Sequence, residues 1–452
     1  MLKKALFGVA LGSPEGRAPR PGVGKGSKYR LALAALTITH LAYFVAPAFC
    51  LPLAANEYNY RVETNFDLST LPPIVQEWHA KMVSSVLSSR PLYFERCGSN
   101  DSYFLSRFVA ERSLALFNAL LATGDQFFLD EVANCWDIAR EDLSDDWCGA
   151  PDDSPGIVDR GWVYKGDGDT GSSNYCKDNH NMEEAMLHGW IGFMAYVFDK
   201  NREITAPDGE TYGEKADFYL DYLLNDFLPK WTRRVGGNDI ATWNSFSGAY
   251  KRLTHPRSRQ ALTAQTLFML TGDSFFQDRL NDIEVDFSRI MNYVPTSDAY
   301  KWPHEVRDAN GNPIMPGTTG PSGWQRMNYS EYTLNSLLIL HTLGEGRWSL
   351  QAEMQKLTRT LRDVVFQKYG PNSDVMAYRN DGSEDTSFDL GSVVGFARFD
   401  ESGWMIQRAS SVYEGLSQSS QNIGTGMQIA GGVLFALSER SEVSSNPTPT
   451  PT

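Results

Sequence analysis

The chain has 452 residues and carries 41 Lys and Arg against 55 Asp and Glu, a formal charge of -14 at pH 7. With 42% hydrophobic and 21% charged residues it has the apolar content for a large folded core and lacks the composition of a disordered chain. The acidic balance excludes nucleic acid as a natural partner, because phosphate binding draws on a basic surface.

The first segment has the pattern of an export signal. Lys3, Lys4, Arg17, Arg20, Lys25, Lys28 and Arg30 face a single acid, Glu15, and an apolar run from Leu31 to Phe49 comes next. His40 and Pro47 interrupt that run and argue against a membrane anchor, while Leu53-Ala54-Ala55 offers small residues for cleavage. Residues 1–55 are therefore read as a signal peptide, and the mature protein as secreted or periplasmic, with no membrane association after cleavage. Loss of those seven bases and one acid moves the formal charge from -14 to -20. Cys97, Cys135, Cys148 and Cys176 remain, an even number suited to disulfides in an oxidising compartment. Their pairing stays open among three connectivities. No two of them have C-x-x-C spacing, which argues against structural zinc.

Residues 56–440 read as one all-helical domain. Pro72 to Ser89 is its first helix. Leu120-Leu-Ala-Thr-Gly-Asp125-Gln-Phe-Phe-Leu-Asp130 recurs as Met269-Leu-Thr-Gly-Asp273-Ser-Phe-Phe-Gln-Asp278, each time between apolar-periodic segments. Gly124 and Gly272 can end a helix in the left-handed conformation, and Asp125 and Asp273 can cap the next, so the unit is a helical hairpin. A looser copy runs from Leu340 to Trp348. Met186, Trp190, Met194 and Val197, then Ala216, Tyr219, Leu220, Leu223 and Phe227, mark a further hairpin, and Thr425 to Ser438 a closing helix. The expected fold is an α/α toroid, an incomplete barrel of about six or seven hairpins joined by long, irregular segments. A spacer rich in Pro and Thr, residues 441–452, ends the sequence. It reads either as a solvated tail or as the linker to a lost carbohydrate-binding module.

Three helix starts carry polar groups beyond what capping requires. In Lys177-Asp-Asn-His-Asn-Met-Glu-Glu-Ala185, Asn181 and Glu184 have capping-box spacing, which leaves Asn179 and His180 just ahead of the helix. In Leu253-Thr-His-Pro-Arg257, Pro256 suits a first helical turn and His255 stands at its mouth. In Trp324-Gln-Arg-Met-Asn-Tyr-Ser-Glu-Tyr332, Asn328 and Glu331 repeat the capping box, with Arg326 before it and Tyr329 and Tyr332 in the first turn. The three helices lead their hairpins, so their N-termini are expected on one face. That geometry would gather Asn179, His180, His255, Arg326 and Tyr332.

Lys251, Arg257 and Arg259 surround His255 and suggest an anionic ligand. Trp162, Trp231, Trp243, Trp302 and Trp324 lie between hairpins, where flat rings can stack on sugars. An acidic polysaccharide fits both features. Such a polymer can be cut by elimination: donors neutralise the uronate carboxylate, a base removes the C5 proton, and an acid protonates the departing O4. A tyrosine whose pKa is lowered by an adjacent arginine can move both protons, and no cofactor or metal is required.

An Asn-His pair, a further His, and an Arg followed by Tyr, in that order, resemble the toroidal polysaccharide lyases, above all the family 38 enzymes active on alginate or glucuronan and more distantly the family 5 alginate lyases. The resemblance implies a polyuronate lyase. In it Asn179, His180 and Arg326 would neutralise the carboxylate, His255 would be base or neutraliser, and Tyr332 acid and perhaps also base. Lys251, Arg257, Arg259, Trp243, Trp324 and Tyr329 would hold substrate, with Asn181, Tyr329 or Tyr250 as substitutes in the catalytic roles. Two other readings stand beside it. One is a glycoside hydrolase using two carboxylates drawn from Asp178, Glu183, Asp239 and Glu305; the other is a non-catalytic glycan-binding protein. A calcium loop at Asp167 to Asp178 is disfavoured by Ser172, which stands where that loop type wants glycine.

Overall fold

A computed structural model of the chain describes residues 58–143, 160–165, 181–230, 253–308, 312–344, 346–366, 376–386, 391–416 and 420–438. The chain divides into two units, Met1–Leu53 and Ala54–Thr452, and every described residue belongs to the second.

That unit alternates outer and inner helices. In chain order they are α1 (Pro73–Cys97); α2, which runs through Ser102–Phe104, a π turn Leu105–Val109 and Ala110–Thr123; α3 (Gln126–Glu141); α4 (Asn181–Asp199); and α5 (Tyr212–Tyr222 with a π turn Leu223–Phe227). Next come α6 (Thr254–Thr271), α7 (Ser274–Ile290), α8 (Met327–Thr342), α9 (Gln351–Arg359 with a π turn Thr360–Phe366), α10 (a 3-10 segment, Gly391–Phe399), α11 (Trp404–Gly415) and α12 (Ser420–Leu437). The even-numbered helices pack in a closed cycle: α2 on α4, α4 on α6, α6 on α8, α8 on α10, α10 on α12, and α12 back on α2. Outside them α3 packs on α2, α5 on α4, α7 on α6, α9 on α10, and both α1 and α11 on α12. This is an α/α toroid of helical pairs, as the hairpin repeat implied. Two short antiparallel ribbons, β1 (Asn292–Val294) with β2 (Ala299–Lys301) and β3 (Met376–Ala377) with β4 (Asp385–Thr386), lie in the connecting segments.

The repeated turn behaves as its residues require. Gly124 and Gly272 sit at φ 73 and 70 and close α2 and α6. The carboxylates of Asp125 and Asp273 then accept from the backbone N–H of Phe127 and Phe275 at 3.0 and 2.9 Å and start α3 and α7. Each cap occupies a donor that a helix start would otherwise leave orphaned.

Inner helices are wrapped on all sides, and α6 is the extreme case, buried from Thr254 through Leu267 despite being mostly polar over that stretch. Its approach to α4 is set by glycine. A Cβ on Gly189 would stand 2.5 Å from the Arg259 carbonyl oxygen, and one on Gly192 would collide with Thr266 Oγ1. Cys97, the last residue of α1, is bonded to Cys135 in α3 with Cα atoms 5.6 Å apart. This settles one of the pairings left open, while Cys148 and Cys176 lie outside the described residues. Among the described residues no helix is long and apolar enough to cross a membrane.

Candidate functional site

Because outer and inner helices alternate, the inner ones run parallel and begin at one end of the ring. Tyr103 and Arg107 come from the start of α2, Glu183 from α4, His255 from α6, and Tyr329 and Tyr332 from α8. Arg107 organises one side. It donates from Nη2 and Nε to Glu183 Oε1 at 2.6 and 3.0 Å, and Ser106 Oγ donates to Glu183 Oε2 at 2.7 Å. Its guanidinium lies 4.8, 5.9 and 5.7 Å from the ring centroids of Tyr103, Tyr329 and Tyr332. On the other side the His255 ring lies 4.7 Å from that of Tyr329, 5.7 Å from that of His304 and 6.3 Å from that of Tyr332. His304 comes from the segment after β2. It is fixed where the Thr254 N–H donates to its carbonyl at 2.9 Å and its own N–H donates to the Gly323 carbonyl at 3.0 Å.

The electrostatics of this mouth differ from the expectation. Burial drives the Tyr332 phenol well above its ordinary pKa, Glu331 adds to the rise, and Arg107 only partly opposes it. Arg326, expected to activate Tyr332, is exposed at the N-cap position of α8, with its guanidinium 5.4 Å from the Tyr378 ring. Six residues separate Arg326 from Tyr332, but one precedes the helix and the other faces inward from it. Arg326 therefore does not meet Tyr332 as the elimination chemistry required. His255 is wholly buried, and burial, followed by the charges of His304, Arg107 and Arg259, pushes its pKa well below the ordinary imidazole value. Neither of its ring nitrogens has a hydrogen-bond partner among the described residues. Burial, with Arg326 and Arg379, likewise pushes His304 down to about 4. Both imidazoles are neutral at pH 7.

Of the cations expected around His255, the two described arginines are engaged internally. Arg257 is buried and pairs with Asp286 at 2.9 Å, a carboxylate it shares with Arg289 and Arg307. Arg259 is buried and pairs with Glu111 at 2.5 Å, and Asn335 Nδ2 also donates to Glu111. A charge neutralised at this range has little left for a ligand. Of the tryptophans, Trp162 and Trp302 are buried, their indole N–H groups donating to the Ala139 carbonyl at 2.7 Å and Gln325 Oε1 at 2.5 Å, so neither offers a face to a sugar. Trp324 is half-buried with Lys301 Nζ 4.2 Å from its ring. Asn179, His180, Asp178, Trp231, Asp239, Trp243, Tyr250, Lys251 and the Asp167 loop lie outside the described residues.

The second capping box is not formed. Asn328 Oδ1 has no hydrogen-bond partner, and Glu331, half-buried, accepts from Ser392 Oγ at 2.5 Å at the start of α10. Asn181 is the first residue of α4 itself, and Glu184 pairs with the buried Lys230 at 3.0 Å. Of the described carboxylates expected to pair, Glu183 is locked by Arg107, and Glu305 accepts from Ser322 Oγ at 2.5 Å. Glu305 bridges Leu253 next to His304, and its carboxylate lies against Gly320 and Ser322. Among the described residues no group of three or more His, Cys, Asp and Glu could hold a metal ion.

Comparison with known proteins shows no family. No protein-family model matches the chain, and no curated protein matches it. Among solved structures the chain is similar to an inactive variant of the α-1,6-mannanase GH76A of Salegentibacter sp. HEL1_6 in complex with α-1,6-mannotetrose, at 14% identity and a TM-score of 0.41, over 79% of this chain and 98% of that one. The GH76A α-1,6-mannanase structure itself matches at 14% identity and a TM-score of 0.37, over 77% and 99%. Both neighbours are α-1,6-mannanases and not polyuronate lyases, against the resemblance to family 38, and the lyase reading itself fails on the side chains. The side chains give the physical reason: the tyrosine is raised rather than lowered in pKa, its arginine is elsewhere, and the described cations near His255 are already paired.

Arg107, Tyr103 and His304 were missed from sequence. The one available signal was Tyr103 to Arg107, an aromatic and a cation one turn apart at the start of an apolar helix, which is indistinguishable from an ordinary surface pair.

Proposed function

We propose that the chain is an exported glycoside hydrolase that cuts a neutral polysaccharide at the mouth formed by its inner-helix starts. The observation that carries the reading is electrostatic. Aromatic rings and neutral imidazoles surround the mouth while its buried arginines are paired, a setting for a hydroxyl-rich, uncharged ligand rather than a uronate. Tyr103 and Tyr329 supply stacking faces, and the half-buried neutral imidazole of His304 can both donate to and accept from sugar hydroxyls.

Hydrolysis calls for one carboxyl to protonate the leaving oxygen and a second to activate water or attack the anomeric carbon. Glu331 is assigned one of these roles. It stands in the first turn of α8, half-buried, oriented by Ser392. Its partner is drawn from Asp178 and Asp239, which stand in the segments that lead into α4 and α6. Glu183 instead positions Arg107.

The test is release of reducing ends from α-1,6-mannan, mixed-linkage β-glucan and xylan, with alginate and glucuronan alongside. Glu331→Gln should lower turnover by about a hundredfold or more at unchanged melting temperature. Ultraviolet-absorbing unsaturated products, or full turnover in Glu331→Gln, would overturn the assignment. Export is checked by N-terminal sequencing of the protein recovered outside the cell, with a start near Asn56 expected.

A further inference from the structure

The start of α2 leaves aromatic surface exposed. The π turn Leu105–Val109 closes with the Ala110 N–H donating to the Leu105 carbonyl. One extra residue in a turn rotates the helix before it by about 100° relative to the helix after it. The residues after the turn, from Leu114 to Leu121, point into the core. Tyr103, Phe104 and Phe108 do not: the first two are half-buried and Phe108 is 40% exposed. Their rings are contiguous, with centroids 5.6 Å apart for Tyr103 and Phe104 and 5.5 Å for Phe104 and Phe108. Tyr164 extends the row, 6.3 Å from Tyr103. The Arg96 guanidinium lies over one face of the Phe104 ring, 3.9 Å from its centroid, and that of Arg112 lies 5.6 Å from the Phe108 centroid. A single exposed phenylalanine needs no explanation, but a row of rings with guanidinium groups beside it does.

We infer that this row is a sugar-binding platform that continues the mouth, so that the protein holds several residues of a neutral polysaccharide at once and cuts within the chain. The inference rests on the glycan-cleaving reading above and deepens it. Continuity comes through Arg107, whose guanidinium touches Tyr103 at one end of the row and Tyr329 and Tyr332 at the mouth. The recognition chemistry is that of a hexopyranose: the C–H face stacks on an aromatic ring while its hydroxyls reach guanidinium N–H donors nearby. A substrate lying from mouth to platform exceeds one or two sugars in length, which selects polymer over short oligosaccharide.

The experiment is native electrophoresis of the full chain through gels containing α-1,6-mannan, mixed-linkage β-glucan or xylan, which reads binding without requiring cleavage. At least one polymer should retard the wild type. Phe108→Ala and Phe104→Ala should each weaken that binding about tenfold, the scale set by losing one stacked ring, while Tyr293→Ala, at an exposed ring on β1, should leave it unchanged. Phe108 is exposed, so its variant should melt with the wild type; Phe104→Ala is read only if it does too. In kinetics the Phe108 variant should raise KM on the polymer by more than it lowers kcat. Binding lost at Phe108 without any release of reducing ends would sustain the platform and defeat the hydrolase reading. Wild-type mobility unchanged in every gel, or equal retardation of wild type and Phe108→Ala, would overturn the platform.

Discussion

Replacing Glu183 by alanine removes the counter-charge that holds Arg107 in the mouth. The Arg107 side chain is 13% exposed and that of Glu183 0%, so the pair is out of reach of effective solvent screening. Burial alone would lower the Arg107 pKa, but the charge and hydrogen bonds of Glu183, with Tyr332 and Tyr103 adding to them, together outweigh it and hold the guanidinium above its ordinary value. Alanine therefore strands a buried cation and cuts four donor contacts, three from Arg107 at 2.6, 3.0 and 3.2 Å and one from Ser106 at 2.7 Å. Breaking a buried pair from one side costs about 3–5 kcal/mol. At roughly 2 °C per kcal/mol for a large domain, the melting temperature should fall by about 8 °C. Denaturant unfolding and a thermal scan read the loss, and the Arg107→Met, Glu183→Ala double variant should recover most of it, since no charge is then stranded. A single-variant loss below about 1 kcal/mol, or a double variant as unstable as the sum of the two singles, would refute the view that the pair acts as one buried unit.

Gly189→Ala should destabilise by about 1–3 kcal/mol, because its Cβ meets the backbone of Arg259 at 2.5 Å and neither helix can yield alone; an unchanged melting temperature would show that α4 and α6 can part. Reducing the Cys97–Cys135 bond, or replacing both residues by serine, releases a loop spanning 38 positions, worth about 4 kcal/mol in the loop-entropy account. Denaturant midpoints with and without reductant measure it, and coincident midpoints would contradict it. His304 titrates at about 4 in the fold against 6.5 for the free side chain. The unfolded chain therefore binds the extra proton, and the His304 contribution to stability should fall as pH drops from 6.5 to 4 and level off below. That window amounts to roughly 3 kcal/mol. His304→Gln should flatten the slope, and an identical pH profile would remove His304 from it.

What the sequence determined was local. The Gly124–Asp125 and Gly272–Asp273 turns were legible because a left-handed glycine and the carboxylate after it act within three residues of each other, and the hairpin they define led to the toroid. The parallel inner helices, and with them the end of the ring at which His255, Tyr329 and Tyr332 meet, result from hairpins repeated in one sense. What the tertiary structure decided was which charge meets which. Arg259 finds Glu111 148 positions away, Arg107 finds Glu183 across 76, and Cys97 finds Cys135 in a different helix. Spacing along the chain carries no record of such pairs, so Arg257 and Arg259, close to His255 in sequence, looked available when the fold had already paired them. Arg326 and Tyr332 mislead for the opposite reason. They are close in sequence, but the helix boundary between them turns one to solvent and the other into a buried cluster with Met182, Met186 and Leu253, where burial sets the tyrosine's proton affinity.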